Sequence, residues 1–286
     1  MNIEERQAAA KAREIIESWH ITDPSQIDVY AIAADSGAYV IEKPLKGCEG
    51  RLLRRGEHGV VTIRSDIREH GKKRFVAAYE LGHFVLHKKA NQIELCTDEA
   101  LLYWYKHVRR EEPESNAFAA ELLLPTHLFQ PRCKGTKPGM EAVKELAEAF
   151  QTTLTATARR YAKLSPHACA LLVSENGKIK WFDKHEDFLY RVKQGCHVHP
   201  NTYAADFFAG GPLSDKPQEV LAEAWLEDER IGSRETLMEH SVALPFYNAV
   251  LSLLWIAPGS NLDRMPEDED EDELEELTGE MKFKRR

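Results

Sequence analysis

The sequence lacks any regular spacing of cysteines. It contains no C-x-x-C pair of the kind that holds structural zinc, and neighbouring cysteines lie 27 or more residues apart. An odd number of scattered thiols also argues against a disulfide framework, so a cytoplasmic protein with reduced cysteines is the simplest interpretation. The five are Cys48, Cys96, Cys133, Cys169 and Cys196.

Long apolar runs, internal repeats and glycine-rich phosphate loops are also lacking. The first residues, Met-Asn-Ile-Glu-Glu-Arg, are too polar for a signal peptide. The apolar stretch at residues 249–257 is too short to cross a membrane and is better interpreted as a core strand. We therefore expect no membrane partner.

Outside the C-terminus the net charge is small. The formal net charge is −9, but residues 265–286 hold ten acids and four bases, which is −6, so the remaining body carries only −3. A nearly neutral body does not by itself predict strong nucleic-acid binding. Residues 261–286 cannot bury a core, and we expect them to be a disordered acidic tail.

The pattern of apolar residues predicts helices and strands in both halves of the chain. In the first half we expect a helix, then a second helix capped by Asp23 and ended by Gly37, then a strand and a two-stranded hairpin. In the second half, Asn176-Gly177 marks another hairpin, followed by a short helix and further strands. The predicted segments are 4–19, 24–36, 38–43, 49–53 with 60–64, 139–162 as two helices split at 152–155, 168–174 with 179–182, 204–208, 219–226 and 241–256.

One predicted helix, at residues 72–88, carries the most informative polar residues. Tyr79, His83 and His87 are spaced four apart, so they share one face. Glu80 borders that face. The segment reads Tyr-Glu-Leu-Gly-His where a zinc-peptidase helix would read His-Glu-x-x-His.

A second predicted helix, from Glu112 to Leu124, offers a further carboxylate. Peptide hydrolysis with zinc needs three protein ligands, an open position for water and a base. Glu80 and His83 occupy the positions of the base and the second ligand. Glu112, 29 residues past His83, can supply the third ligand, and Asn116, one turn later, can orient a ligand.

Together these two motifs strongly resemble the ImmA/IrrE family of metallopeptidases, over about residues 5–165. The resemblance implies an α+β fold with a gluzincin-like minimal peptidase domain, which uses Zn²⁺ and typically cleaves a helix-turn-helix repressor. Its longer members carry a GAF-like sensor domain, and this chain looks closest to proteases that regulate anti-phage operons. The implied divisions are a peptidase domain at 1–137, a helix-turn-helix-like segment at 138–165, a GAF-like domain at 166–260 and the tail at 261–286.

Carried onto this sequence, the resemblance makes Glu80 the catalytic base and His83 and Glu112 zinc ligands, while Tyr79 falls on the first ligand position. A phenol with a pKa of about 10 is a poor zinc ligand near neutral pH. Three interpretations stay open: an engineered or recent inactivating change, a replacement ligand, or a true pseudo-protease.

Two other residues are candidates for the missing coordination. Cys96 lies thirteen residues past His83 in a polar connector, where a thiolate could replace the ligand or inhibit the enzyme. His87 is predicted mainly to support the site from outside the ligand shell.

The predicted function is cleavage of a partner helix-turn-helix (XRE-type) repressor in response to stress or DNA damage, which derepresses a defence or stress operon. The alternative is an impaired protease that binds its repressor or single-stranded DNA without cutting. Several basic clusters before residue 165 make single-stranded DNA a candidate activator. One such cluster is Arg159, Arg160 and Lys163.

Overall fold

The computed structural model describes residues 2–87, 93–96, 112–229 and 231–263, with the main chain alone for 93–96 and 112. The predicted disordered tail lies outside these residues from position 264 onward. Within the described ranges, no helix is both long and apolar enough to cross a membrane.

The N-terminal half is a small sheet surrounded by helices. Its helices are α1 (Ile3–Ser18), α2 (Val29–Asp35), α3 (His70–Leu86) and α4 (Glu112–Leu123), and its strands are β1 (Ala38–Lys43), β2 (Gly50–Arg55), β3 (His58–Arg64) and β4 (Ile93–Cys96). The strand order is β1-β3-β2-β4, with β1 parallel to β3 and the other neighbours antiparallel. The predicted hairpin of β2 and β3 is therefore confirmed.

The single helix predicted at 24–36 is wrong. Asp23 forms its capping box with Gln26, but the box opens only a 3₁₀ turn at Pro24–Gln26. The side chain of Asp28 then accepts hydrogen bonds from the N–H groups of Tyr30 and Ala31 and begins α2. Two capping aspartates close together therefore give two short elements in place of one helix.

Three helices connect the two sheets: α5 (Thr126–Cys133), α6 (Met140–Phe150) and α7 (Leu154–Leu164). Gln151 ends α6 in the left-handed region, with φ of 53°. The hydroxyl of Thr153 then caps α7 by accepting from the N–H of Ala156. The predicted split near residues 152–155 is confirmed.

The C-terminal half is a five-stranded antiparallel sheet with one short helix. Its strands are β5 (Cys169–Glu175), β6 (Lys178–Lys184), β7 (Gln218–Leu221), β8 (Thr236–Leu244) and β9 (Ala249–Trp255), in the order β6-β5-β9-β8-β7, and α8 is Tyr203–Phe208. Asn176 and Gly177 make the β5–β6 turn with φ of 50° and 73°. Two positive φ values in a two-residue turn suit the right-handed twist of a hairpin.

Two predicted strands in this half need correction. The strand predicted at 219–226 stops at Leu221 and passes into a 3₁₀ turn at Ala222–Ala224. The run predicted at 241–256 is two antiparallel strands joined through a 3₁₀ turn at Pro245–Tyr247. Pro245 cannot donate a strand hydrogen bond, and Asn248 adopts φ of 46°, so the chain reverses there.

One continuous hydrophobic core crosses the predicted boundary at residue 165. One face of the C-terminal sheet belongs to the same core as the N-terminal helices, and it presents Leu171, Val173, Leu251, Leu253 and Trp255. The opposite face packs on a second cluster with α8, and it presents Ala170, Leu172, Val250 and Leu254. The α+β class is confirmed, whereas the GAF-like resemblance of this half stays a prediction.

Candidate functional site

Helix α3 lies between α4 on one side and strand β2 on the other. A Cβ added at Gly82 would lie 3.2 Å from the Cα of Ser115 and from Cδ1 of Phe118, so glycine lets α3 and α4 approach closely. Residues three and four apart share a helix face, which places Tyr79 and His83 beside this contact.

The other side of α3 packs closely against the start of β2. A Cβ added at Gly50 would lie 2.9 Å from Oε1 of Glu80 and 2.5 Å from Cγ1 of Val76. Gly50 pairs across the sheet with Cys96 of β4, which is an edge strand. The main chain of Cys96 therefore lies one strand beyond the backbone that faces Glu80.

Three polar side chains in the second half of α3 are buried. Glu80 is 0% exposed, Tyr79 is 2% exposed and His83 is 4% exposed. The three ring residues predicted to share a face do so: the ring centroids of Tyr79 and His83 are 4.8 Å apart, and those of His83 and His87 are 5.3 Å apart. A carboxylate and an imidazole, about one helical turn apart, are thus both held inside the molecule.

His87 meets a carboxylate of the facing helix. Its Nδ1 lies 3.7 Å from Oε2 of Glu114, and its Nε2 is buried with no hydrogen-bond partner among the described residues. Glu114 is thus within reach of His87, which lies one turn after His83 on α3. Within the same ranges, the buried Oδ1 of Asn116 on α4 has no hydrogen-bond partner either.

The donor set fits zinc incompletely. His83 is an ordinary zinc ligand, but the phenol of Tyr79 is not one near neutral pH. In the part of the chain whose side chains the structure describes, no three His, Cys, Asp or Glu residues are grouped to hold a metal. The side chains of Glu112 and Cys96 lie outside that part.

Glu121 of α4 forms a buried network that no motif in the sequence indicates. Its carboxylate accepts hydrogen bonds from Arg160 and from the main-chain N–H of Thr126 at 3.1 Å. Arg13 of α1 lies 3.7 Å away. The only signal in the sequence is a carboxylate inside an otherwise apolar run, Ala119-Ala120-Glu121-Leu122-Leu123.

The basic residues of α7 are used inside the protein. Arg159 and Lys163 both pair with Asp183, the latter at 3.4 Å, while Arg160 binds Glu121 and the carbonyl of Leu124. These contacts argue against α7 as part of the predicted nucleic-acid surface.

Comparisons with known proteins agree with this architecture. Residues 33–161 match the family model Peptidase_M78, described as the IrrE N-terminal-like domain. No curated protein matches the chain significantly. A solved Mycobacterium tuberculosis transcriptional regulator is similar over 87% of each chain, with a TM-score of 0.52 and 12% identity. That likeness shows a shared fold alone, and its coverage extends well beyond residues 33–161.

Proposed function

Since residues 33–161 match the model of the IrrE N-terminal-like domain, we propose that the chain is a zinc-dependent endopeptidase that acts as a regulator. The observation that carries the proposal is the burial of both Glu80 and His83 in the middle of α3, the helix between α4 and β2. Burying a carboxylate and an imidazole costs free energy, and such groups concentrate at functional sites, so their burial supports a site here.

In this proposal His83 and Glu112 bind zinc, Tyr79 stands at the remaining ligand position, and Asn116 and His87 support the ligands. Bound zinc would polarise a peptide carbonyl and lower the pKa of a water molecule. Glu80 acts as the general base, which takes a proton from the attacking water and delivers it to the leaving amine.

The proposed substrate is a helix-turn-helix (XRE-type) repressor whose cleavage derepresses a stress or defence operon. An extended segment of it would pair with the edge strand β4, next to the β2 backbone that faces Glu80. The C-terminal sheet shares a core with the peptidase-like half, which supports its proposed role in relaying a stress or DNA-damage signal.

Tyr79 favours a second candidate function. With a buried phenol at the first ligand position, the chain would be an impaired protease that binds its repressor, or single-stranded DNA, without cutting. In this second function the chain keeps its fold and its binding partner but does not hydrolyse peptide bonds.

Replacing Tyr79 by histidine separates the two functions. We expect Tyr79→His to bind close to one zinc per chain and to cleave a repressor encoded by a neighbouring gene faster than the unmodified protein does. Metal content by mass spectrometry and cleavage by gel electrophoresis are the measurements. As a control, Tyr79→His combined with Glu80→Gln keeps the ligands and should bind zinc without cutting.

The results can contradict either version. Equal zinc content and equal cleavage in the unmodified and Tyr79→His proteins would mean that the first ligand position is wrongly assigned. Absence of zinc and cleavage in both would favour the non-cutting regulator.

The same assays on Cys96→Ala test whether the Cys96 thiolate binds the metal. Unchanged zinc content and basal cleavage would exclude it as a ligand or inhibitor.

A further inference from the structure

A cavity of about 280 Å³ lies between the peptidase-like helices and the C-terminal sheet. Helices α1, α3, α4 and α7 and strand β6 all contribute to its wall. The volume is close to the lower end of the range typical of small-molecule pockets. It is separate from the Glu80–His83 pair, although Asn116 of α4 is part of its wall.

The wall of this cavity is mainly apolar. Alanines of three helices and two phenyl rings contribute to it. The apolar lining residues that matter here are Ala9, Ala117, Ala120, Ala156, Phe75 and Phe182. Two phenyl groups in an apolar wall suit an aromatic ring, because rings stack or meet edge to face with phenyl groups.

One end of the cavity is basic. Arg159, Arg160 and Lys163 of α7 line it together with two carboxylates, Glu5 and Asp183. Asp183 is the carboxylate that both Arg159 and Lys163 pair with, so it serves two cations. Arg160 is already paired with Glu121, so Arg159 and Lys163 are the two cations that an occupant could reach at this end.

Burial makes the positive charge of Arg159 costly for the empty protein. Desolvation lowers the pKa of Arg159, and Asp183 offsets that effect only in part. Arg159 also lies over the ring of Trp181, 5.5 Å from its centroid. An anion entering the cavity would favour the charged guanidinium, as an added counter-charge does at any partly desolvated cation.

We propose that this cavity is a binding site for a small aromatic anion, with the ring in the apolar part lined by Phe75 and Phe182 and the anionic group at Arg159 and Lys163. The site joins the C-terminal sheet to the helices that carry the candidate catalytic residues. Phe75, which lines it, stacks on Tyr79 with the ring centroids 6.5 Å apart. An occupant would therefore contact the neighbour of the first ligand position, whether or not the chain cuts peptides.

Two dyes that share a ring system test the proposal on the full chain. 8-Anilinonaphthalene-1-sulfonate carries the anionic group, and N-phenyl-1-naphthylamine lacks it. We expect the sulfonate to bind more tightly than the uncharged dye. Lys163→Gln should weaken sulfonate binding about fivefold, the usual scale of a partly exposed ion pair, and should leave the uncharged dye unaffected.

A matched control and a filled cavity complete the test. Lys11 also sits in a partly exposed ion pair, with Glu14 on α1, so Lys11→Gln should not change the affinity for either dye. Ala120→Phe should abolish binding of both dyes by filling part of the cavity, and circular dichroism will show whether this variant is folded.

Several outcomes would contradict the proposed anion site. Equal sulfonate affinity in the folded Ala120→Phe variant would place the dye elsewhere. Equal effects of Lys163→Gln and Lys11→Gln, or equal affinity for the two dyes, would remove the anionic specificity. The two lysine variants decide this point even if Ala120→Phe does not fold.

Discussion

Gly50 sets the distance between strand β2 and the helix that carries Glu80. Its missing side chain leaves room for Oε1 of Glu80 and for Cγ1 of Val76, which would lie 2.9 and 2.5 Å from an added Cβ. Val76 has no exposure and cannot swing away. The position of the candidate base thus depends on a glycine 30 positions earlier in the chain.

Gly50→Ala is therefore expected to destabilise the protein by about 1–3 kcal/mol, the usual cost of overpacking a core. It should also reduce any activity that depends on Glu80, because the carboxylate must move. Urea unfolding measures the free-energy change. Gly232→Ala serves as control, since an added Cβ there meets nothing nearer than 3.6 Å. Equal stability of the two variants would contradict the close contact.

At the scale of elements, Glu121 joins four helices. It lies on α4, it binds Arg160 of α7 and the N-terminus of α5 through Thr126, and it faces Arg13 of α1. Its side chain is 2% exposed. A buried carboxylate with this many donors fixes the relative placement of the helices, and it leaves an unpaired buried cation if it is removed.

Glu121→Ala should therefore cost about 3–5 kcal/mol in the free energy of unfolding, the range seen when one partner of a buried ion pair is deleted. Chemical denaturation is again the measurement. Glu14→Ala, which removes an exposed acid paired with Lys11, should change stability little. A loss no larger than that of Glu14→Ala would mean that water replaces the Glu121 contacts.

At the scale of the whole molecule, His240 connects the C-terminal sheet to the central helices. It is 2% exposed on β8, and its Nδ1 accepts the N–H of Met140, the first residue of α6, at 3.1 Å. Burial lowers its pKa, with Lys144 acting in the same direction, while Glu141 and Asp215 oppose the shift. Neutral His240 is thus the form that the fold requires.

Stability should consequently fall as pH falls below about 6.5, the ordinary histidine value. The unfolded chain then binds a proton that native His240 resists, so the free energy of unfolding decreases until the lowered native pKa is passed. Urea midpoints from pH 7.5 to 5 measure this. His240→Asn keeps an acceptor oxygen without a titrating group and should flatten the dependence, whereas the exposed His70→Asn should not. Parallel curves for all three proteins would contradict the assignment.

Local signals explain how much of the fold could be predicted. The α3 helix and the Asn176-Gly177 turn follow from spacing and turn chemistry within a few residues, and so does the placement of Tyr79, His83 and His87 on one face. The break in the chain before Asp28 cannot be predicted from local sequence, because two capping residues can each begin a helix there. Packing decides which of them does.

Long-range contacts explain the rest. Glu121 looks like a surface residue until Arg160 is placed beside it, 39 positions later. The cations of α7 look available for a nucleic acid until Asp183 and Glu121 are found next to them. In the site, the close approach of Gly50 to Glu80 has no signal in the sequence. The two residues come together only because the sheet packs against the helix.

The face of the C-terminal sheet that presents Leu171, Leu253 and Trp255 to the N-terminal helices has a thermodynamic consequence. A chain cut at residue 165 would expose apolar surface on both fragments, so neither half should unfold independently of the other. The two halves then form one cooperative unit. Any ligand that binds the C-terminal sheet should raise the free energy needed to open the peptidase-like half, and a ligand of the peptidase-like half should stabilise the C-terminal sheet in return.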